Sequence, residues 1–192
     1  EKSAFSVDEI QPYLSKAKEL GFDITLHADQ FTTSGSQLAV AMGAVSADHL
    51  EASTSEEIAL LGQSDVVAVA LPAASLGLGC AFTPARALLD AGASLAIATD
   101  WNPGSAPMGQ LVTSASILAS NQKLTNAEVL AAITYRAAHA LRLADRGRLV
   151  AGHLADFAIY PTDNYQNITY QQGALQPQFV WKRGELVYSI TS

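Results

Sequence analysis

Cysteine, positive charge and long apolar runs are all scarce in this 192-residue chain. Its single cysteine, Cys80, excludes a disulfide within the chain, which favours a reducing, cytoplasmic compartment. Eleven Lys and Arg residues stand against 18 Asp and Glu residues, a formal net charge of -7, so we expect neither a nucleic-acid partner nor an anionic membrane. The longest apolar stretches, such as residues 66–74, are too short for a membrane span, which needs about 20 residues.

The composition is otherwise that of an ordinary globular protein. Hydrophobic residues make up 49% and charged residues 15%, and the length is enough to bury the core of one domain or slightly more. Cys80 lies in an apolar, Gly-rich neighbourhood, where the pKa of a thiol is raised. We therefore interpret Cys80 as a structural residue and not as a nucleophile.

Helical and strand patterns alternate through the first hundred residues. Capping pairs predict helices that begin near Ser6 and near residues 53–56, and Thr83 with Pro84 opens a later helix. A further helix is predicted over residues 36–42, and glycines end the four helices, at positions 21, 43, 62 and 92. Apolar runs at 22–26, 45–49, 65–71 and 94–99 predict buried strands, the third ended by Pro72 and followed by a loop to residue 82. This order predicts a parallel sheet, either doubly wound or half of a barrel.

The character of the chain changes twice after residue 100. Helices are predicted over 108–120, 126–134 and 136–143, the second of them opened by a capping box of Thr125 with Glu128. Beyond Gly147 short strands and tight turns follow, and residues 182–185 between two apolar arms predict a hairpin. The chain therefore divides into a helix-and-strand part and a smaller β part.

Polar side chains end three of the four predicted strands. His27 ends the first strand, His49 the second and Asp100 the fourth. Because the carboxyl ends of parallel strands meet at one edge of a sheet, we expect these side chains to lie close together. Imidazole and carboxylate groups suit zinc or a similar divalent ion, and catalytic metal sites keep one position open for water. One strand-end histidine is more often structural, whereas three such ends together favour a metal site.

Three motifs, with their spacing, resemble the imidazolonepropionase family of the metal-dependent amidohydrolase superfamily. They are His-Ala-Asp-Gln at 27–30, Ser-Ala-Asp-His-Leu-Glu at 46–51 and, most specific, Asp-Trp-Asn-Pro-Gly-Ser at 100–105. The resemblance implies the C-terminal half of an α/β, TIM-like (β/α)8 amidohydrolase barrel plus part of a small β-sandwich domain. Residues 1–147 would contain barrel strands five to eight, and residues 148–192 would form the C-terminal part of the β-sandwich.

The resemblance also implies site residues. His27 and Asp100 would hold one divalent or trivalent metal ion, zinc or iron, and His49 and Asp100 would be catalytic. The substrate-binding residues would be Gln30, Asn102, Gly104 and Ser105. Many related deaminases carry Glu where this chain has Gln30, and an amide cannot carry a proton, so proton transfer would fall to other groups. In the 102–105 turn, exposed N–H groups and a hydroxyl are expected to cradle a carboxylate. The remaining histidines, His139 and His153, are interpreted as structural.

The implied reaction is opening of the cyclic amide of 4-imidazolone-5-propanoate by a metal-activated water, which gives N-formimidoyl-L-glutamate in histidine degradation. The family's His-x-His metal pair has no match here, and the chain begins at Glu1 without Met. We therefore expect an N-terminal half as partner and no activity from this chain alone.

Two alternatives stay open. One is another metal-dependent amidohydrolase or deaminase acting on a small heterocycle, against which Gln30 and the 102–105 turn count. The other is a non-catalytic half-barrel that pairs with a missing piece or with a second copy as a homodimer, because half a barrel leaves two open sheet edges.

Overall fold

A computed structural model describes residue 1 and residues 4–190. Its main sheet has four parallel strands in the order in which they occur along the chain. They are β1 (Thr25–Ala28), β2 (Ser46–His49), β3 (Val67–Ala70) and β4 (Leu95–Ile97). The predicted parallel sheet is confirmed, and β1 and β4 lie at its two edges.

Helices connect these strands and continue after them. Within the described residues they are α1 (Val7–Glu19), α2 (Gly35–Met42), α3 (Ser55–Gly62), α4 (Pro72–Leu78), α5 (Ala85–Asp90), α6 (Leu111–Gln122), α7 (Asn126–Ala132), α8 (Tyr135–Ala140) and α9 (Gln166–Tyr170). In that part of the chain no helix combines the length and the apolar character that crossing a membrane requires.

Two of these helices were not predicted from the sequence. The loop predicted after Pro72 is wrong, because α4 begins at that proline. Proline is favoured in the first turn of a helix, where its fixed φ suits the helix and its missing N–H has no partner to lose. Helix α9 is short and lies in a polar stretch that has no apolar periodicity. Helix α5 follows Pro84 as its N-cap, so this proline stands one position before the predicted one.

Capping boxes mark the beginnings of α1, α3 and α7. The boxes of Ser6 with Glu9 and of Thr125 with Glu128 are confirmed. The box predicted over residues 53–56 is wrong by one position, since Thr54 caps α3 and Glu57 reaches back to the Thr54 N–H at 2.9 Å. Glu57 is 1% exposed, so this box is a buried feature and not a surface one.

The strands are shorter than the apolar runs that predicted them. β1 begins at Thr25, and Phe22, which the apolar pattern placed in a buried strand, is 65% exposed. The last residue of β1 is Ala28, so His27 lies inside the strand and not at its end. His27 shares a face of β1 with Thr25. This face continues across the sheet, because His27 stands beside Asp48 of β2.

Apolar side chains pack on both faces of the sheet. The larger cluster joins alternate strand residues such as Ala28, Ala68 and Leu95 to helices α1, α2, α3, α5, α6 and α7. The smaller cluster packs Val67 and Val69 of β3 against residues of α4 and α8. Burial on both faces explains why β3 is apolar throughout.

The C-terminal part forms a separate antiparallel sheet of β5 (Phe157–Ile159), β6 (Phe179–Lys182) and β7 (Glu185–Ser189). The predicted hairpin is confirmed, and its turn residues Arg183 and Gly184 have φ values of 53° and 80°, as a two-residue type I′ turn requires. The connection between β5 and β6 returns to the helical layer, where the Thr113 hydroxyl donates to the Gln172 carbonyl at 3.0 Å. The division of the chain at residue 147 stays a prediction.

Candidate active site

The carboxyl ends of β1, β2 and β4 bring His27, His49 and Asp100 together. The imidazole rings of His27 and His49 have centroids 4.2 Å apart and are tilted by 42°. The His49 Nε2 atom lies 4.0 Å from the Asp100 Oδ2 atom. The three side chains thus form one continuous cluster, with His49 in the middle.

The backbone is strained where the chain leaves these strands. Positive φ values occur at Asp29 (51°), His49 (86°), Leu50 (72°) and Asp100 (56°), all at or just after strand ends. Such conformations cost about 1–3 kcal/mol per residue and persist only where the surroundings enforce them, and they concentrate at functional sites. At His49 the enforcement is visible, because the Thr83 hydroxyl donates to its carbonyl oxygen at 2.5 Å.

Burial and charge differ within the cluster. His49 is 4% exposed, whereas the Asp100 side chain keeps 29% of its surface accessible. His27 is more open, yet desolvation of the covered side of its ring lowers its pKa, and repulsion from His49 lowers it further. The neighbouring carboxyl of Asp48 has a raised pKa because it is mostly desolvated, although the Ser46 hydroxyl donates to it at 2.8 Å and opposes the shift. A neutral His27 imidazole has a lone pair available for a metal ion.

The turn after Asp100 is organised by the side chain of Asn102. Its Nδ2 atom donates to the Asp100 carboxylate at 3.0 Å and to the Asp100 carbonyl at 2.6 Å. Its Oδ1 atom accepts the N–H groups of Gly104 and Ser105, both at 2.8 Å. The prediction of exposed N–H groups in this turn is therefore wrong, because Asn102 already occupies both of them.

The Ser105 hydroxyl is 3.1 Å from the Asn102 Nδ2 atom and extends the network that begins at Asp100. Helix α4 fixes this turn from behind, since a Cβ atom on Gly77 would collide with the Ser105 carbonyl oxygen. Binding of substrate by Asn102, Gly104 and Ser105 stays a prediction, and the hydroxyl is the group best placed for it.

Gln30 lies on the β1 side of the cluster. It is 9% exposed and, together with His27, lines a cavity of about 970 Å³ whose wall includes Leu26, Phe31 and Leu38. The backbone N–H groups of Gln30 and Phe31 donate to the Glu1 carboxylate at 2.8 and 3.1 Å. His139 and His153 line a different cavity, of about 650 Å³, formed by residues 94 and 135–153.

Two buried carboxylates that the sequence did not single out support the loop between β1 and α2. The Asp29 carboxylate accepts the N–H groups of Gly35 at 2.7 Å and Ser36 at 3.2 Å, and it is 1% exposed. The Glu57 carboxylate accepts the N–H of Ser34, which has a φ of 83°, at 2.6 Å. The sequence did contain a signal for each carboxylate. Asp29 follows a strand directly, and Glu57 is the acidic residue of a capping box.

A third carboxylate, Glu51, also went unassigned although it belongs to the 46–51 motif. Its Oε2 atom lies 3.6 Å from the His49 Nδ1 atom, and its side chain is 2% exposed. The sequence signal for Glu51 was its spacing from His49. An acidic residue two positions after a strand-end histidine can place its side chain on the same side of the backbone as the imidazole.

As to a metal ion, the described residues include no group of three or more His, Cys, Asp or Glu side chains placed to hold one. The donor types at the cluster, two imidazoles and one carboxylate, are nevertheless those that zinc and iron accept. The residues present thus fit a metal in chemistry but supply only part of a ligand set.

Comparison with known proteins identifies sequences that are similar to this chain. An imidazolonepropionase of Deinococcus deserti is 44% identical over 190 residues, which are 97% of this chain and 47% of that protein. An imidazolonepropionase of Bdellovibrio bacteriovorus is 40% identical and is matched over 45% of its length. The chain spans about half the length of the curated relatives it matches.

Solved structures with the same fold are likewise matched over about half of their length. An adenosine deaminase from Xanthomonas campestris with bound zinc superposes with a TM-score of 0.78 at 25% identity, over 94% of this chain and 48% of that one. A 5-methylcytosine deaminase from Klebsiella pneumoniae superposes with a TM-score of 0.77 at 19% identity, over 97% of this chain and 53% of that one, which supports the fold alone. The sequence profile of the amidohydrolase family matches residues 2–188. The chain therefore belongs to the amidohydrolase family.

Proposed function

We propose that this chain supplies the second half of the active site of an enzyme that hydrolyses the cyclic amide of 4-imidazolone-5-propanoate to N-formimidoyl-L-glutamate, a step in histidine degradation. The observation that carries the proposal is the meeting of His27, His49 and Asp100 at one end of the sheet. Support comes from imidazolonepropionases that are 36–44% identical to this chain.

His27 and Asp100 would hold one metal ion, zinc or iron, and further ligands would come from an N-terminal half. When bound, such an ion makes water more acidic and stabilises negative charge on an oxygen. The zinc ion bound in the Xanthomonas campestris neighbour supports a divalent metal at this site.

The other roles belong to this chain's own side chains. The Asp100 Oδ2 atom would take a proton from the attacking water and return it to the leaving ring nitrogen. His49 would contact either that water or the ring carbonyl, since its Nε2 atom faces Asp100. The Gln30 amide would hydrogen-bond the ring, and the Ser105 hydroxyl would bind a polar group of the substrate.

The partner implied by this proposal is the N-terminal half of the same kind of enzyme, and the compartment is the cytoplasm. The edge strands β1 and β4 are the positions at which the remaining barrel strands would pair. We propose that the chain without this half neither retains a metal ion nor turns over substrate.

The test is complementation. This chain is produced alone and together with the N-terminal half of the Deinococcus deserti relative, and both samples are incubated with 4-imidazolone-5-propanoate. Mass spectrometry then follows conversion to a product heavier by one water, and elemental analysis measures the metal bound per chain. The proposal expects both signals from the complemented sample and neither from the chain alone.

The same reaction distinguishes the alternatives. A deaminase would release ammonia from its substrate, whereas opening of the imidazolone ring releases none. A folded, metal-loaded complex that leaves the imidazolone intact but releases ammonia from an amino-substituted heterocycle would contradict the proposal. A chain that forms stable homodimers and does not associate with the N-terminal half would favour the non-catalytic alternative.

A further inference from the structure

His49 has two ring nitrogens, and the two lie in different surroundings. Nε2 faces the Asp100 carboxylate in the cluster, at 4.0 Å. Nδ1 faces away from the cluster, towards the Glu51 Oε2 atom at 3.6 Å. Which nitrogen carries the proton decides whether Nε2 can donate or accept a hydrogen bond, since a neutral imidazole has a single N–H.

The facing atoms of His49 and Glu51 are both buried and, within the described residues, neither has a hydrogen-bond partner at normal distance. A buried carboxylate oxygen without a donor and a buried imidazole nitrogen without a partner are each costly. Their separation only slightly exceeds a hydrogen bond, so a small rotation of either side chain satisfies both. A hydrogen bond between His49 and Glu51 requires the imidazole proton to be on Nδ1, because an ionised carboxylate can accept a hydrogen bond but cannot donate one.

Glu51 is itself held in position. Its Oε1 atom accepts a hydrogen bond from the Ser75 hydroxyl at 2.7 Å, and Ser75 is fully buried in α4. Ser75 also lies 3.4 Å from the carbonyl oxygen of Leu71, which ties the hydroxyl to the beginning of that helix. A chain of contacts thus runs from α4 through Ser75 and Glu51 to His49.

We infer that Glu51 is a positioning residue that fixes His49 with its proton on Nδ1 and its Nε2 atom bare. This inference rests on the proposed function for its meaning and decides between the two tasks left open for His49. A bare Nε2 cannot donate to the ring carbonyl, but it can accept a hydrogen bond from the attacking water. A carboxylate behind a histidine ring fixes tautomer and orientation in the same way in other active sites.

The direct test is a measurement of the tautomer. In the complemented complex loaded with zinc, this chain alone is labelled with ¹⁵N-histidine, so four side chains contribute signals, and His49 is assigned by its loss in His49→Gln. Long-range ¹H–¹⁵N correlation then shows which nitrogen is protonated. We expect Nδ1–H in the wild type and a shift towards Nε2–H in Glu51→Leu. A wild-type His49 that carries its proton on Nε2 overturns the inference.

Kinetics provide the second readout. Loss of the carboxylate that orients an active-site histidine typically lowers activity by about 10- to 100-fold. Glu51→Leu should therefore lower kcat by that factor, with KM within about twofold of the wild type. Ser75→Ala should lower kcat in the same direction by a smaller factor. Glu56→Gln, on the exposed side of α3, is the matched control and should change neither. A folded Glu51→Leu complex with unchanged tautomer and unchanged kcat overturns the inference.

If Glu51→Leu does not fold, Glu51→Gln takes its place, since it keeps the volume and removes the charge. Its amide can present an N–H₂ group to Nδ1, so the His49 tautomer should become mixed and kcat should fall. An unchanged tautomer with unchanged kcat again overturns the inference. A complex without ring-opening activity whose His49 tautomer still depends on Glu51 would refute the proposed function while supporting the positioning role.

Discussion

Replacing Asp29 by alanine would remove the acceptor that holds the beginning of α2. The carboxylate accepts the N–H groups of Gly35 and Ser36, the first donors of that helix, and the hydroxyls of Ser36 and Ser53. In the described part of the chain the N-cap residue, Ser34, makes no capping bond with its own side chain. Asp29 therefore acts as the cap from the preceding strand end.

The size of the effect follows from what is left without a partner. The two hydroxyls lie 3.3 Å apart and can bond each other, so the Gly35 and Ser36 N–H groups carry most of the loss. Loss of a helix cap costs about 1 kcal/mol, and the buried Ser36 N–H left without an acceptor adds about 1–3 kcal/mol, so Asp29→Ala should lower the free energy of unfolding by about 2–4 kcal/mol. Asp29→Asn keeps one acceptor oxygen and should cost about 1 kcal/mol.

Urea unfolding followed by circular dichroism measures these differences, provided that the m value is unchanged. The matched control is Asp90→Ala, which removes a carboxylate that is 66% exposed and paired with Arg86. It should change the free energy of unfolding by no more than about 0.5 kcal/mol. An Asp29→Ala variant that stays within about 1 kcal/mol of the wild type would refute the reasoning, because the two N–H groups would then have found other acceptors.

Three further predictions concern the site and the helices. Gly77→Ala should push the Ser105 turn away from α4 and lower kcat/KM of the complemented enzyme by about tenfold or more, with little change in secondary structure by circular dichroism. Asp100→Asn should lower kcat by about 10²- to 10⁴-fold in the same assay, and near-normal turnover would remove Asp100 from the proton-transfer role. The pKa of Glu128 is lowered, first by the Thr125 N–H that its carboxylate accepts, with partial desolvation opposing the shift. Its contribution to stability is therefore complete above its unfolded pKa and disappears as the pH falls through the folded one, so urea midpoints measured from about pH 5 to about pH 3 should fall less in Glu128→Gln than in the wild type.

Both the parallel sheet and the cluster of side chains at its carboxyl end were predictable from the sequence for a simple physical reason. A parallel sheet is built from strands that alternate with helices, so apolar runs alternate with capped helical segments along the chain, and the polar residues His27, His49 and Asp100 stand out where those runs end. The hairpin was predictable because a short turn containing Gly184 lies between two apolar arms, whereas the positive φ of Arg183 had no signal in the sequence. At the strand ends and at Gly184, the residue types that favour the local structure are also the ones that the final fold requires.

What the sequence did not reveal depends on contacts between distant segments. Glu51 becomes informative only when α4 places Ser75 beside it, 24 positions along the chain. Asn102 could not be recognised as the acceptor for its own turn, because an Asn-Pro-Gly sequence is equally compatible with an open turn. Pro72 was interpreted as an end of strand β3, and only the packing of α4 shows that it also begins a helix.

The left-handed backbone at His49, Leu50 and Asp100 has a consequence for directed evolution of this protein. Glycine adopts such conformations freely, so screening for heat resistance would reward glycine at Asp100, whose side chain is 29% exposed and adds little to the hydrophobic core. Screening for turnover would reject the same change, because it deletes the carboxylate. Libraries selected for both properties at once should therefore leave Asp100 unchanged, while His49 and Leu50, both buried, resist replacement by glycine because it would leave a cavity.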